Sequence, residues 1–422
     1  MTKIYREVFG CSANVADYEI ASGLLKQAGF EFASSPKQSN LNILFTCTVK
    51  APTTQRMIFK IKELTKSNKP LIIAGCMPKT DKEVIEKINP NASMIGPDSI
   101  EKIVDAAKST LQTKKFVFLE DLKKPKVCLP RIRRNYIINI IPVATGCLSN
   151  CNYCSVKFAR GKLFSYPVEM IVNESRQAVK NGCKELYITS QDNSCYGRDI
   201  GTNLPDLLNE ICKIEGKFFV RIGMMNPLHL KDILSELIEV YRNEKIFKFI
   251  HVPLQSGSDK ILPLMNRGYK VKDFLEIVEN FRKEFPQITL ATDIIVGFPN
   301  EDDSDFKKTL EIIKEVQPDV VNISKFGARP RTEAAKLKQL DRKIVNERSK
   351  TLHELVKEIT FEKNKNWIGW EGEVLIDEKI EDGFVGRNFA YKPIVMKTKE
   401  NLFGKFINIE IVNATQNSLI TK

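Results

Sequence analysis

The sequence predicts an α/β protein of three parts: an N-terminal parallel α/β sheet domain over residues 1–125, a central partial barrel over 126–364, and a small all-β barrel over 365–422. Short apolar runs alternate with helical patterns in the first part, and longer strand-helix units recur from Asn139 onward. A β pattern punctuated by glycine begins at Gly372. A chain of 422 residues is long enough for about three domains.

The N-terminal part contains three cysteines that each follow a predicted strand. Cys11, Cys47 and Cys76 come just after the first, second and third apolar runs. The carboxyl ends of parallel strands share one edge of the sheet, so we expect the three thiols to meet there. Three thiolates without a fourth ligand would hold a [4Fe-4S] cluster with one open iron. The alternative is three unrelated buried cysteines. The predicted strands are Lys3–Phe9, Leu41–Thr46, Pro70–Ala74 and Ala92–Ile95.

Three further cysteines lie within eight residues. Cys147, Cys151 and Cys154 form a Cys-x3-Cys-x2-Cys loop. Such a loop gives three thiolates to a [4Fe-4S] cluster and leaves the fourth iron open to a small molecule. A structural zinc site would need a fourth ligand nearby, yet the next cysteine is Cys183 and the chain has only three histidines. Disulfides also fit poorly, because the N-terminus lacks the pattern of a secretion signal.

The central part predicts an open barrel of six strand-helix units. Right-handed crossovers place the carboxyl ends of all its strands on one face, where polar side chains then cluster. The helical patterns begin near Val168, Asn203, Leu230, Lys260, Glu301 and Asp341. The predicted strands are Asn139–Thr145, Glu185–Ser190, Phe218–Met224, Phe247–Leu254, Thr289–Val296 and Val320–Lys325.

The C-terminal part predicts a small barrel of the oligonucleotide-binding (OB) type. Its strands are expected at Glu373–Ile376, Phe384–Arg387, Ile394–Thr398 and Phe406–Val412. Residues 365–422 carry no net charge, so any contact of this barrel with RNA would depend on a one-sided charged face or on base stacking. The aromatic candidates for stacking are Phe384, Phe389 and Tyr391.

The net charge of +13 predicts an anionic partner. Residues 1–133 carry an excess of nine basic residues, and a basic cluster including Lys123, Lys124 and Lys126 precedes the cysteine loop. A solvated lysine-rich surface is the alternative. The most apolar stretch, 136–143, is far shorter than the roughly 18 residues of a membrane span. We therefore expect a cytoplasmic protein without a membrane partner.

The whole chain resembles the methylthiotransferase family of radical S-adenosylmethionine (SAM) enzymes. The resemblance lies in the Cys147 loop and in the segments around the other three cysteines: Gly10-Cys11-Ser12-Ala13-Asn14, Thr46-Cys47-Thr48-Val49 and Ala74-Gly75-Cys76-Met77-Pro78. Segments such as Tyr196-Gly197-Arg198-Asp199-Ile200-Gly201-Thr202-Asn203-Leu204-Pro205 are most similar to the archaeal and eukaryotic branch that acts on N6-threonylcarbamoyladenosine (t6A) in tRNA.

The resemblance implies a radical SAM core at 126–364, an N-terminal methylthiotransferase domain and a C-terminal TRAM domain. It implies two [4Fe-4S] clusters, SAM as both methyl donor and radical source, and a methylthio group transferred to C2 of t6A at position 37 of tRNA. A radical is needed because C2 of adenine is an unactivated C–H position. The electron donor protein and the sulfur source are not identified by the sequence, and we expect a monomer.

The site residues follow from the motifs. The six cysteines are expected to hold the clusters and act in catalysis, whereas Cys128, Cys183, Cys195 and Cys212 have no partner spacing and are expected to be structural. We expect His251 to be a strand residue rather than a base. Arg160, Lys162 and Arg329 are candidates for contact with the substrate. The candidates for SAM binding are Tyr153, Gln191, Asp192, Asn226, Gln255 and Asp293.

Other functions stay open at this point. A B12-dependent radical SAM methylase also joins an α/β domain to such a barrel, but that domain would hold a corrinoid instead of three cysteines. An RNA-binding protein without catalysis would explain the basic excess but not the Cys147 loop. Within the family, a related enzyme could act on isopentenyladenosine or on a ribosomal protein.

Overall fold

A computed structural model describes residues 2–49 and 51–422 and confirms the predicted fold class. The N-terminal part is a six-stranded parallel sheet in the order β2-β1-β3-β4-β5-β6. The sequence missed β2 and β6, which have only two residues each. The strands are β1 (Lys3–Val8), β2 (Glu31–Phe32), β3 (Leu41–Thr46), β4 (Leu71–Gly75), β5 (Ser93–Ile95) and β6 (Val117–Phe118).

Helices cover both faces of this sheet. All six residues of β3 and all five of β4 are buried, as expected of strands in the middle of a parallel sheet. One apolar layer includes Ile20 and Ile103, and the opposite layer includes Met57 and Ile85. The helices are α1 (Ser12–Gln27), α2 (Ala51–Lys66), α3 (Met77–Thr80), α4 (Lys82–Ile88) and α5 (Ile103–Leu111).

The central part is an open barrel of six parallel strands. Two three-stranded sheets, ordered β11-β10-β7 and β12-β13-β14, are joined by a parallel bridge between Val220 and Ile246. A separate antiparallel pair, β8 with β9, flanks the cysteine loop. The strands are β7 (Ile138–Pro142), β8 (Ala144–Thr145), β9 (Phe164–Ser165), β10 (Glu185–Thr189), β11 (Phe219–Ile222), β12 (Phe249–His251), β13 (Thr289–Val296) and β14 (Val320–Lys325).

Nine helices of the described chain surround or connect these strands. They form a continuous apolar core with the outer faces of the strands, including Leu207, Leu237 and Phe281. No helix in residues 2–49 and 51–422 is both long and apolar enough to cross a bilayer. The helices are α6 (Val156–Arg160), α7 (Val168–Lys180), α8 (Leu204–Cys212), α9 (Pro227–Leu230), α10 (Leu234–Tyr241), α11 (Ile261–Leu264), α12 (Val271–Glu284), α13 (Asp303–Val316) and α14 (Arg342–Lys365).

The C-terminal part is a closed five-stranded barrel that covers the N-terminal ends of the central strands. The Tyr391 ring lies 4.8 Å from that of Phe247, and Lys392 Nζ lies 2.8 Å from Asp319 Oδ1. The strands, ordered β15-β16-β17-β19-β18, are β15 (Glu371–Ile380), β16 (Gly383–Arg387), β17 (Pro393–Met396), β18 (Phe406–Ala414) and β19 (Leu419–Thr421).

Two sequence predictions about RNA contact are wrong. Phe384 is buried in the core of the C-terminal barrel and Tyr391 packs on the central barrel, so neither ring is free to stack on bases. Phe389 is partly buried against Trp367 and Trp370. Lys126, counted in the basic cluster, is only 3% exposed, and it pairs with an aspartate of α1. The sequence did not show this burial because the partner lies 109 positions away.

Candidate functional site

The N-terminal sheet and the central barrel enclose a cavity of about 440 Å³ at the carboxyl ends of their strands. We call it the central cavity. It brings together most of the residues predicted from the sequence, while Cys47, Lys162 and Arg329 do not line it. Its lining includes Cys11, Cys76, Cys147, Cys151, Cys154, Tyr153, Arg160, Gln191, Asp192, Asn226, Gln255 and Asp293.

The loop cysteines, Cys147, Cys151 and Cys154, are held by the strands on either side of them. The β8–β9 pair closes the base of the loop. Gly146 there has a φ of +78°, and a Cβ at this position would lie 2.0 Å from the carbonyl oxygen of Lys162. A glycine is therefore needed for the close approach of the two chain segments.

The thiols of this loop differ in their surroundings. Burial raises the pKa of Cys154 to about 11. A hydrogen bond from the Cys195 thiol lowers the pKa of Cys147 against the opposing effect of burial, and the Ser149 N–H, which also donates to this sulfur at 3.3 Å, adds to the lowering. Arg267 Nη1 lies 3.1 Å from the sulfur of Cys151. Donors directed at two of the three sulfurs suit thiolates, which are the form that binds an iron-sulfur cluster.

The strand-end cysteines, Cys11, Cys47 and Cys76, come from three different strands. Cys47 and Cys76 are each 2% exposed; Cys11 and Cys76 line the central cavity, and Cys47 does not. The Cys47 thiol donates a hydrogen bond that lowers the pKa of Cys11 to about 6. The strand ends are packed so closely that a Cβ on Gly10 would lie 2.2 Å from the Cβ of Cys47. Three neighbouring thiols with one sulfur already favouring the thiolate fit a [4Fe-4S] cluster.

The polar residues at the ends of the first sheet of the barrel form hydrogen bonds that support the cysteine loop and the turn after β10. Gln191 Oε1 accepts a hydrogen bond from the Gly146 N–H at 2.7 Å, and Asn226 Nδ2 lies 3.0 Å from Ser149 Oγ, so both also support the cysteine loop. Asp192 Oδ1 accepts the Ser194 N–H at 3.1 Å.

On the other side of the cavity, the polar residues belong to the second sheet of the barrel. His251 lies on β12, as predicted, and its Nε2 is 3.1 Å from Asp293 Oδ1. Gln255 lies in the turn beyond β12 with a φ of +69° and pairs with Ile294 through a parallel bridge.

Sequence reasoning missed two residues of the site. Arg267 is 5% exposed and donates to Asn226 Oδ1 at 3.0 Å as well as to Cys151. It lies in a loop with no motif, so nothing in the sequence indicated it. Cys195 was expected to be merely structural, but it lies beside Cys147, with its sulfur 3.1 Å from Asp192 Oδ2. Its place just after the end of β10 was the available signal.

The three candidates for substrate contact occupy different surroundings. Arg160 is buried, and its Nη2 lies 2.9 Å from Asp17 Oδ2. Lys162 is exposed at the surface of the protein. Arg329 is 9% exposed and its Nη1 lies 2.9 Å from Thr54 Oγ1, while its Nη2 finds no hydrogen-bond partner among residues 2–49 and 51–422.

The fold and the cysteine loop are those of a radical SAM protein. Residues 141–313 match the Radical SAM superfamily, and residues 3–96 match the Uncharacterized protein family UPF0004. The radical SAM methyltransferase TsrM from Kitasatospora setae aligns with a TM-score of 0.58 at 14% identity, over 79% of this chain and 77% of that one. The cobalamin-dependent radical SAM enzyme OxsB aligns with a TM-score of 0.56 at 12% identity, over 85% of this chain and 56% of that one. These two likenesses concern the fold.

Relatives of higher identity cover the whole chain. A probable threonylcarbamoyladenosine tRNA methylthiotransferase from Pyrococcus abyssi is 44% identical over 100% of this chain and 99% of its own. A protein of the same description from Methanothermobacter thermautotrophicus is 40% identical over 99% of each. The Homo sapiens threonylcarbamoyladenosine tRNA methylthiotransferase is 34% identical over 97% of this chain and 72% of its own. The chain belongs to the threonylcarbamoyladenosine tRNA methylthiotransferase family.

Proposed function

We propose that this protein transfers a methylthio group to C2 of N6-threonylcarbamoyladenosine at position 37 of tRNA, giving 2-methylthio-N6-threonylcarbamoyladenosine. One observation carries the proposal: cysteines of both sets, namely all three of the loop and two of the three at the strand ends, line the same cavity. A single target base in that cavity can therefore reach the chemistry that each set supports.

Each set of thiols has its own role. The loop cysteines hold the [4Fe-4S] cluster to which SAM binds, and the strand-end cysteines hold an auxiliary [4Fe-4S] cluster. When bound, the clusters and SAM supply radical chemistry at the base and the sulfur to be transferred. The protein itself binds and orients these groups. In this proposal, SAM is held by Tyr153 and by the polar residues of the cavity lining. These are Gln191, Asp192, Asn226, Gln255 and Asp293.

The threonylcarbamoyl group gives the protein an anion to recognise. Its carboxylate suits a guanidinium, which can donate two parallel hydrogen bonds. Arg329 offers a buried Nη2 without a partner in the described residues. Arg160 lines the central cavity but is engaged by Asp17, so Arg329, which lies outside the cavity lining, is the candidate for a carboxylate that extends beyond the cavity.

The tRNA backbone would meet the basic surface of the N-terminal third. Lys123 and Lys124 precede the barrel, and Lys162 is exposed just after the cysteine loop. We divide the chain at 125 and 364, so that 365–422 forms a TRAM domain. The protein acts in the cytoplasm as a monomer in this proposal, and it needs an external electron donor and a source of sulfur.

The test is an anaerobic reaction of the reconstituted protein with tRNA transcripts that carry t6A, unmodified adenosine or isopentenyladenosine. Mass spectrometry of the digested tRNA should find the methylthio product only on t6A. The Cys147→Ala/Cys151→Ala/Cys154→Ala variant should give none. Equal product from isopentenyladenosine tRNA would place the activity in another branch of the family.

The role of Arg329 is tested separately. Arg329→Gln should reduce the preference for t6A over unmodified adenosine by roughly ten- to a hundredfold, since a charged hydrogen bond contributes roughly 1.5–3 kcal/mol. Arg331→Gln is the matched control, because Arg331 lies two residues further on, is exposed and contacts the carbonyl oxygen of Lys79. The same loss in both variants would remove Arg329 from the substrate site.

A further inference from the structure

A buried ionic network joins the N-terminal sheet to the loop that follows the loop cysteines. Asp17 on α1 uses both carboxylate oxygens, with Oδ1 2.5 Å from Lys126 Nζ and Oδ2 2.9 Å from Arg160 Nη2. None of these three side chains is more than 4% exposed. Arg160 ends α6, only six residues beyond Cys154, so the pair links two distant parts of the chain.

The network continues to the strand that carries the cysteine loop. Asp98 Oδ1 accepts a hydrogen bond from Thr145 Oγ1 at 2.7 Å and lies 3.9 Å from Lys126 Nζ. Thr145 is in β8, two residues before Cys147. The N-terminal domain therefore contacts the base of the cysteine loop through Asp98 and its end through Asp17.

Arg160 also faces the strand-end cysteines. It lines the central cavity together with Cys11 and Cys76. Arg160 thus contacts the N-terminal domain at the Asp17 carboxylate and lines the same cavity as two of its cysteines. A buried guanidinium in this place has a charge that water screens little.

Asp17 keeps a positively charged partner when Arg160 is replaced. A buried carboxylate without a partner strongly destabilises a protein. After loss of Arg160, Asp17 would still pair with Lys126. A variant at position 160 should therefore fold, and its effect should be seen mainly at the thiols that Arg160 faces.

We propose that Arg160 is a positioning residue for the auxiliary cluster: it ties Asp17 to the end of the cysteine loop and places a buried positive charge beside that cluster. This inference rests on the proposed function, which assigns a cluster to the strand-end cysteines. A nearby cation stabilises the more negative, reduced form of a cluster and so raises its reduction potential. Asp17 has the opposite effect.

The test measures the reduction potential of the auxiliary cluster by a titration followed with electron paramagnetic resonance. The full chain carries Cys147→Ala, Cys151→Ala and Cys154→Ala, so that only the strand-end cluster gives a signal. Adding Arg160→Met should shift the potential to a more negative value, and Arg160→Lys should restore most of it. Adding Asp17→Asn should shift the potential in the opposite direction.

Arg176→Met is the matched control, because it removes the same guanidinium from an exposed position on α7. Its potential should equal that of the parent. A potential that is unchanged in Arg160→Met, or a cluster lost in Arg160→Met and Arg160→Lys alike, would overturn the role of the charge. A parent with no iron at the strand-end cysteines would instead refute the auxiliary cluster itself, whatever Arg160 does.

Discussion

The two cysteine sets reach the same cavity by different routes. The loop cysteines lie within eight residues, and the short β8–β9 pair fixes the ends of that segment. The strand-end cysteines are separated by 36 and 29 positions, and only the parallel sheet brings them to one edge. The first set depends mainly on local structure, and the second depends on the fold of the whole N-terminal domain. Disturbances of that domain should therefore affect the second set first.

The sharpest test of this difference removes each set in turn. Replacing the loop cysteines by alanine should leave about four iron atoms per chain, and replacing the strand-end cysteines should leave the same number, against about eight in the parent. Only the second variant should still cleave SAM to 5′-deoxyadenosine. Iron and sulfide analysis and chromatography of the SAM products measure the two results. A parent with about four iron atoms would show that the sets do not act as two sites.

A smaller change should affect the strand-end set alone. Gly10→Ala would place a Cβ 2.2 Å from the Cβ of Cys47, a distance that requires the strand end to move. We expect most of the strand-end iron to be lost, while SAM cleavage by the loop set continues. Iron analysis and the SAM cleavage assay measure the two effects.

Gly29→Ala is the control that distinguishes the contact of a Cβ added at Gly10 with Cys47 from the strain of a positive φ. Gly29 also has a positive φ, of +86°, but a Cβ there would have no atom within 4 Å. That variant should lose only about 1 kcal/mol of stability and no iron. If Gly29→Ala loses as much iron as Gly10→Ala, the contact with Cys47 is not the cause.

The loop set should in turn depend on Arg267, which lies outside it in sequence. Arg267→Met removes the hydrogen bonds to Cys151 and Asn226 and leaves an apolar chain of similar length. Loss of a charged hydrogen bond of roughly 1.5–3 kcal/mol predicts SAM cleavage slower by about tenfold or more. The iron held by the strand-end cysteines should not change. Arg282→Met, on the outer surface of the barrel near Val316, is the control and should cleave SAM at the parent rate.

A substitution at the N-terminal ends of the central-barrel strands, opposite the cavity, should change the iron content of neither cysteine set. Glu185 begins β10 below the C-terminal barrel, and burial raises its pKa to about 7 from 4.5. The folded protein therefore favours the protonated acid, so its contribution to stability is complete below pH 4.5 and is lost as the pH rises through about 7. Glu185→Gln, which stays neutral, should be more stable than the parent at pH 8 by about 1–3 kcal/mol.

Unfolding in urea at pH 8 and pH 5 measures this effect. The difference between Glu185→Gln and the parent should fall to about a quarter of its pH 8 value at pH 5, where the group is protonated in the folded protein but partly ionised in the unfolded chain. Glu381→Gln, at an exposed position of the C-terminal barrel, should show no such difference. The iron content should be the same in all three proteins. A Glu185→Gln variant that lost iron would contradict the separation of the two ends.

The sequence predicts elements and local motifs better than side-chain partners. Strands β3, β13 and β14 were predicted with the observed bounds because each is a continuous run rich in apolar and β-branched residues. The loop cysteines were evident from their spacing, and the strand-end cysteines from the order of strands. The ion pair between Asp17 and Arg160 was not predictable, since 143 positions separate the two residues.

The same limit explains the residues whose roles were misjudged. A lysine within a run of basic residues is predicted to lie on the surface, and only the fold shows that Lys126 is buried against Asp17. An isolated arginine such as Arg267 carries no local pattern at all. Aromatic residues of a small barrel can be core or surface, and the docking of the C-terminal barrel decides this for Tyr391.

The position of the C-terminal barrel sets a minimum length for any nucleic acid that contacts both this barrel and the central cavity. It covers the N-terminal ends of the central strands, and the cavity lies at their other ends. The eight residues of β13 span roughly 26 Å at about 3.3 Å per residue. A short oligonucleotide around the target base could occupy the cavity without reaching the barrel. Simultaneous contact with the cavity and the C-terminal barrel would need a substrate with a stem long enough to cover that distance.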